Sequence, residues 1–222
     1  MASGSVVVRL AFVMALLVGA GSQAQGTESP PATGTSAPTL EPAARPSSVQ
    51  WQLIVGGLSS LDGYSSLGHQ GGLLGAGWEY PGLRFRFQFL AGLPDKLTDE
   101  RTQVNLEQYT FGFWLDHSVK RSGPWRWGVG GGAGVLVFAR TVFPLFRGVS
   151  TPKPRLVPAL LVGPDTSVRY RLSRLFAVEG TAALDFVAGR PVIGYVNEDG
   201  FLPLHRGWAV QPRLSVSFML LP

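Results

Sequence analysis

The sequence predicts an all-β fold, an eight-stranded antiparallel up-and-down transmembrane β-barrel. Three features of residues 49–222 support this: apolar and polar residues alternate, the alternating segments are even in number, and long and short connections take turns between them. Alternation with a period of two is typical of half-buried strands. An even strand count with short turns at one end and longer loops at the other is typical of membrane barrels.

The clearest strand covers residues 83–89, with the sequence LRFRFQF. Its leucine and three phenylalanines occupy one face and its two arginines and glutamine the other, because successive side chains of a strand point to opposite faces. A helix would mix the two sets. The same alternation predicts eight strands, at about 50–58, 71–80, 83–92, 104–116, 125–138, 158–172, 175–187 and 208–220.

The connections between these strands alternate in length along the chain. Long connections are predicted at 59–70, 93–103, 139–157 and 188–207, and short ones at 81–82, 119–123 and 173–174. With a periplasmic N-terminus, the first connection of an outer-membrane barrel is extracellular and long. The sequence agrees with that rule at every connection.

Two segments precede the barrel. Residues 1–24 predict a signal peptide, because Arg9 is followed by an apolar run too short to span a membrane and then by small residues at a cleavage position. Residues 25–48 contain five prolines and few apolar residues, which predicts a disordered periplasmic linker.

The two faces of the strands predict a charged interior and a lipid-facing exterior. Acidic and basic residues of the polar faces nearly balance, as expected of a narrow lumen filled by ion pairs. The predicted interior network consists of Glu79, Arg84, Arg86, Asp116, Arg126, Asp165, Arg169, Arg171, Glu179, Asp185 and Arg213. The apolar faces carry aromatic residues near the short turns, as in an interfacial girdle: Trp51, Trp78, Tyr80, Phe85, Trp125, Trp127, Tyr170, Phe176 and Phe218.

In strand number, turn asymmetry, polar interior and amphipathic last strand, residues 49–222 resemble the small eight-stranded outer-membrane barrels of the OmpA/OmpX type. The resemblance lies in architecture rather than in a motif. It implies a Gram-negative outer-membrane location.

The only catalytic candidates are His69 and His205, which belong to the first and last long connections. Barrel closure makes the first and last strands neighbours, so these two connections could meet. The chain has no cysteine, which excludes thiolate metal sites and cysteine nucleophiles. The residues able to complete a Ser/His/Asp arrangement are Asp62, Ser65, Ser66 and Asp185.

Two further patterns favour structural roles. His117 and Ser118 are neighbours in a strand and therefore point to opposite faces, so His117 is expected at the membrane interface. The glycine-rich run 128–134 lacks the Lys-Ser/Thr of a phosphate loop. Its inward glycines are expected to make room for large side chains such as Arg84 or Trp114.

These features predict an outer-membrane barrel with a structural or interaction role, without an open pore, enzymatic activity, cofactor or metal. Expected partners are outer-membrane lipid and lipopolysaccharide, and a protein bound through the loops 141–155 and 192–204 or through the periplasmic linker. Nucleic acid is not an expected partner, because the arginines are dispersed rather than clustered. A lipid-modifying enzyme and a narrow channel or oligomeric porin remain the alternatives.

Overall fold

The computed structural model describes residues 49–98, 102–145, 155–197 and 200–222. The predicted signal peptide, 1–24, and the linker, 25–48, lie outside the described residues. Within the described ranges, no helix is long and apolar enough to cross a membrane. The strands are β1 (Gln50–Ser60), β2 (His69–Glu79), β3 (Leu83–Gly92), β4 (Asp95–Thr98), β5 (Thr102–Ser122), β6 (Trp125–Pro144), β7 (Arg155–Arg171), β8 (Phe176–Ala188), β9 (Val192–Asn197), β10 (Gly200–Arg206) and β11 (Val210–Leu220).

Eight of these strands close into an antiparallel barrel in the order β1-β2-β3-β5-β6-β7-β8-β11. β11 pairs with β1 in a continuous register, from Leu53 opposite Leu220 to Ser60 opposite Arg213, so the sheet has no free edge there. Closure satisfies the backbone groups that an open sheet would leave unpaired. The predicted eight-stranded up-and-down barrel is therefore confirmed.

The wall formed by β5 and β6 extends beyond the length predicted from the sequence. The two strands have 21 and 20 residues and pair as far as Thr102 opposite Pro144. At their other end, the turn lies at Gly123 and Pro124 rather than over 119–123, because Gly123 adopts a positive φ of 57° that favours glycine. The short strand β4 pairs with the beginning of β5, from Thr98 opposite Gln103 to Asp95 opposite Leu106.

The predicted loop 192–204 is a second correction, because most of it forms the antiparallel hairpin β9–β10. Two apolar runs, VIGYV and FLPL, flank the segment NEDG. β-Branched and aromatic runs around an Asp-Gly pair are a hairpin signal. This local signal lies inside a connection between two barrel strands, so the strand alternation of the barrel alone does not predict the hairpin.

The alternation of each barrel strand separates an inner from an outer face. In β3, Arg84 and Arg86 are buried and Phe85 is exposed. The same alternation puts the large side chain of Trp114 inside the barrel, where it is only 1% exposed. A Cβ atom at Gly132 would overlap the Trp114 ring, so this inward position of β6 must lack a side chain.

Candidate functional site

The centre of the barrel is occupied by a buried ion-pair network. Arg84 donates from Nε to Asp116 Oδ2 at 2.8 Å, and from Nη1 and Nη2 to the two Glu179 oxygens at 2.5 and 3.0 Å. Arg86 donates to Asp116 Oδ1 at 2.6 Å and pairs with Asp165. The four strands that carry these residues surround the lumen, so the network spans it.

A second layer of ion pairs lies at the short-turn end of the barrel, where the Glu79 carboxylate pairs with several arginines. Arg169 Nη2 lies 2.8 Å from its Oε2, and Arg126 pairs with Oε1. Arg171, predicted to belong to the interior network, is instead exposed. It is the last residue of β7 and reaches only Gln50 Oε1, at 3.4 Å. At the strand end the inner face opens to solvent, so alternation no longer implies burial.

A third layer separates the centre from the opposite end. Arg213 donates from Nε and Nη2 to the two Asp185 oxygens, at 2.6 and 3.2 Å. Its guanidinium also lies 5.5 Å from the ring centroid of Trp114, a cation–π distance. Across the three layers, five carboxylates face five buried arginines, so the charges of the lumen balance.

The long-connection end of the barrel is filled by an apolar cluster that the sequence analysis did not predict. The connection between β1 and β2 folds into this mouth, and Tyr64 lies edge-on to Phe138 with ring centroids 5.8 Å apart. Tyr64 also donates its hydroxyl to the Pro191 carbonyl at 2.6 Å. The buried members of the mouth cluster are Tyr64, Leu97, Val104, Leu106, Trp114, Leu136, Phe138, Ala159, Leu161, Val187 and Ile193.

The first and last long connections meet at this mouth. Trp208 donates its backbone N–H to the Asp62 carbonyl at 2.7 Å. Gly207 packs against the Tyr64 ring so closely that a Cβ atom there would lie 2.6 Å from it. The mouth cluster thus covers the charged layers from the long-connection side.

The predicted aromatic girdle lies on the outer surface. All nine residues are exposed, and they concentrate on the half of the barrel that carries the short turns: Trp51, Trp78, Tyr80, Phe85, Trp125, Trp127, Tyr170, Phe176 and Phe218. Trp125 and Tyr170 are cross-strand partners with ring centroids 4.6 Å apart. Exposed leucine, valine and phenylalanine side chains fill the outer face between the two ends.

The structure does not assemble the catalytic candidates into a Ser/His/Asp site. Ser65 Oγ donates to the Gly68 carbonyl at 2.9 Å, and Asp185 is occupied by Arg213. His69 is buried and its Nδ1 lies 3.1 Å from Asp95 Oδ2. Within the described chain, His205 forms no hydrogen bond with His69.

His117 is exposed on the outer face, on the side of β5 opposite to Ser118, whose hydroxyl accepts from Arg126 Nε at 2.8 Å. These two neighbours do not meet.

One set of described residues has the composition of a metal site: ligand atoms of Asp62, His69 and Asp95 all lie within 4.8 Å of one another. The spacing of the three residues in the sequence does not predict a metal site, because Asp95 comes close to His69 only through the fold of β3 and β4.

No protein-family model and no curated protein matches this chain. Among solved structures, Neisserial surface protein A (NspA) is similar, with 15% sequence identity and a TM-score of 0.50 over 78% of this chain and 96% of that chain. A major outer membrane protein from Thermus thermophilus has 12% identity and a TM-score of 0.49, covering 78% and 99%. Ail, the attachment invasion locus protein of Yersinia pestis, has 10% identity and a TM-score of 0.42, covering 78% and 97%. At 15% identity the similarity to NspA shows the fold alone, and that fold is the eight-stranded barrel of small outer-membrane proteins.

Proposed function

We propose that this protein is a non-conducting barrel of the bacterial outer membrane that presents its long connections to a partner outside the cell. In this proposal the N-terminus and the short turns are periplasmic, and the protein is not an enzyme. The observation that carries the proposal is the sealed interior, with three charged layers beneath an apolar mouth cluster.

Large buried side chains that cross the lumen support a non-conducting barrel. Arg84, Arg86 and Trp114 are each about 1% exposed and reach across the lumen to partners on other strands. An eight-stranded barrel has room for side chains and little else. An ion would have to displace buried charge-assisted hydrogen bonds at every layer, which costs roughly 3 to 5 kcal/mol for each charge left unpaired.

The outer face supports a lipid environment. Side chains such as Leu160, Val216 and Phe218 are 60% exposed or more, far more apolar area than a soluble monomer leaves in water. At the long-connection end, Lys96, Arg155 and Arg206 are exposed. Cations at this position suit the anionic groups of lipopolysaccharide.

The hairpin β9–β10 and the extended β5–β6 wall supply the surface for a protein partner. They correspond to the predicted contact regions 192–204 and 141–155, of which 146–154 and 198–199 lie outside the described residues. Phe143, Leu145 and Leu204 are exposed there. Exposed apolar side chains on a rigid support are typical of interaction surfaces.

The sealed interior is tested by single-channel recording of the purified protein in a planar bilayer. We expect no conductance steps, with a porin reconstituted in the same bilayer as the positive control. Reproducible steps from the purified barrel would overturn the proposal and favour the channel alternative.

Orientation is tested by cysteine labelling, since the chain has no cysteine of its own. Leu204→Cys lies on β10, and Arg174→Cys lies in the short turn between β7 and β8. On intact cells, a membrane-impermeant maleimide should label the first variant and leave the second unlabelled until the outer membrane is permeabilised. The reverse pattern would contradict a periplasmic N-terminus.

A further inference from the structure

We infer that Asp62, His69 and Asp95 bind a divalent transition-metal ion, of which Zn²⁺ is the best match, at the mouth of the barrel. Asp62 follows β1, His69 is the first residue of β2, and Asp95 is the first residue of β4. An ion held by all three would join the connection between β1 and β2 to two strands of the wall. This site goes beyond the proposed function and does not depend on it.

The carboxyl group of Asp62 lies buried in the mouth of the barrel. Its side chain is fully buried, and its two hydrogen bonds come from neutral donors, the Tyr64 backbone N–H at 3.0 Å and the Gln108 amide at 2.5 Å. No lysine or arginine among the described residues forms an ion pair with it. The other buried acids of the barrel are each paired with arginine. A buried carboxylate without a cation is costly, and metal coordination is one of the ways proteins balance it.

The His69 ring is buried as well, with its side chain only 5% exposed. Nδ1 lies 3.1 Å from Asp95 Oδ2, while Nε2 has no hydrogen-bond partner. Nε2 packs against Gly92, so Nδ1 is the ring nitrogen that faces Asp95. In the tautomer with a bare Nδ1, its lone pair faces a carboxylate oxygen, and a cation bound between the two would satisfy both groups.

The distances between the three side chains suit a single ion. Zinc bonds to imidazole nitrogen and carboxylate oxygen are about 2.0 to 2.2 Å, so two ligands of one tetrahedral ion lie roughly 3.4 Å apart. The His69–Asp95 distance of 3.1 Å is close to that value, and the whole set lies within 4.8 Å. Small side-chain movements would bring Asp62 to the same ion. Gly92 permits the position of His69, since a Cβ atom there would overlap Nε2.

The donor set also indicates which ions are excluded. One imidazole and two carboxylates suit zinc and neighbouring transition metals. Ca²⁺ and Mg²⁺ prefer six or more oxygen ligands, including waters, and do not favour a buried imidazole. Competition between Zn²⁺ and a large excess of Ca²⁺ or Mg²⁺ should therefore leave zinc bound.

The test is metal binding by the full-length mature protein in detergent, after chelator treatment and dialysis against Zn²⁺. We expect one equivalent of zinc in the wild type and near zero in His69→Ala and Asp62→Asn. His117→Ala is the matched control, because it removes an exposed histidine of the outer face, and it should keep the full equivalent. Heat-modifiable migration on a denaturing gel establishes that each variant is folded.

A second measurement separates coordination from a structural role of His69. Co²⁺ added in place of Zn²⁺ should give ligand-field absorption in the wild type and in His117→Ala, and none in folded His69→Ala. A wild-type protein that binds no metal, or a folded His69→Ala variant that keeps its equivalent, would overturn the inference.

Discussion

Arg84 and Glu179 join opposite walls of the barrel through two hydrogen bonds, of 2.5 and 3.0 Å. Their strands, β3 and β8, are four places apart in either direction around the eight-stranded ring. Both side chains are almost completely buried. A bidentate arginine–carboxylate pair of this kind fixes the distance between walls that share no backbone hydrogen bond.

Arg84→Met is expected to destabilise the barrel by about 3 to 5 kcal/mol, the cost of leaving a buried charge without its partner. Glu179 would keep only longer contacts with Arg86 and Arg169, both at 3.7 Å. The double variant Arg84→Met/Glu179→Gln should regain much of this loss, since neither charge of the pair remains. Urea unfolding of the folded protein in lipid vesicles measures the difference.

The control is Arg171→Met, which removes an arginine that is exposed at the end of β7. It should change the free energy of unfolding by no more than about 0.5 kcal/mol. Equal effects of Arg84→Met and Arg171→Met would show that the central network does not stabilise the fold.

The contact between Gly132 and Trp114 gives a second prediction. In Gly132→Ala the new methyl group would overlap the indole, so we expect a loss of about 1 to 3 kcal/mol through overpacking. Gly180→Ala is the matched control, because no atom lies within 4 Å of its Cβ position. Adding Trp114→Leu to Gly132→Ala should cost less than the sum of the single changes, because the two sites are in contact.

The barrel and its charged faces could be predicted because both depend on local alternation. Residues 83–89 of β3 alternate without exception between outward apolar and buried polar side chains, and the same period of two places Trp114 on the inner face of β5. Arg171 shows the limit of that rule, since alternation identifies a face but not the depth at which the face opens to solvent. The hairpin β9–β10 has a local sequence signal of its own, two apolar runs around an Asp-Gly pair.

The mouth of the barrel could not be predicted in the same way. Tyr64 and Asp62 belong to a connection without regular structure, and their burial depends on contacts with Pro191 and Trp208 far along the chain. The approach of Asp95 to His69 likewise follows from the fold of β3 and β4. No periodicity or spacing encodes contacts of this kind, so the candidate metal site appears only in three dimensions.

The lipid-facing assignment predicts that the cost of an outward charge depends on depth. Phe113 is exposed near the middle of β5 and contacts the Phe87 ring, with centroids 5.1 Å apart. Leu83 is exposed at the first residue of β3, beside a short turn. Phe113→Arg should cost about 2 to 4 kcal/mol and Leu83→Arg about 0 to 1 kcal/mol in lipid vesicles.

Both free energies are measured by reversible unfolding from vesicles, with heat-modifiable migration as the test of folding. If water rather than lipid surrounded the outer face, the two substitutions would change the free energy of unfolding by amounts that differ by no more than about 0.5 kcal/mol. Similar costs at the two depths would contradict a bilayer around the outer face.

Tyr64 predicts a dependence of stability on alkaline pH. Burial, together with the nearby Asp62 carboxylate, raises the pKa of the Tyr64 hydroxyl above its ordinary value of 10.0. Because the folded pKa is raised, the stabilisation is fully present below pH 10.0 and is lost as the pH rises toward the folded pKa. Tyr64→Phe removes this titration and also the hydrogen bond to Pro191.

Near pH 8, well below the titration, Tyr64→Phe should be less stable than the wild type by about 1 kcal/mol, the usual net contribution of one hydrogen bond. Near pH 11 the difference should shrink, because the unfolded wild type now ionises Tyr64 while the folded protein resists doing so. Denaturant unfolding of both proteins at the two pH values measures the change. A difference that stays constant or grows with pH would mean that the Tyr64 hydroxyl is not buried at the mouth of the barrel.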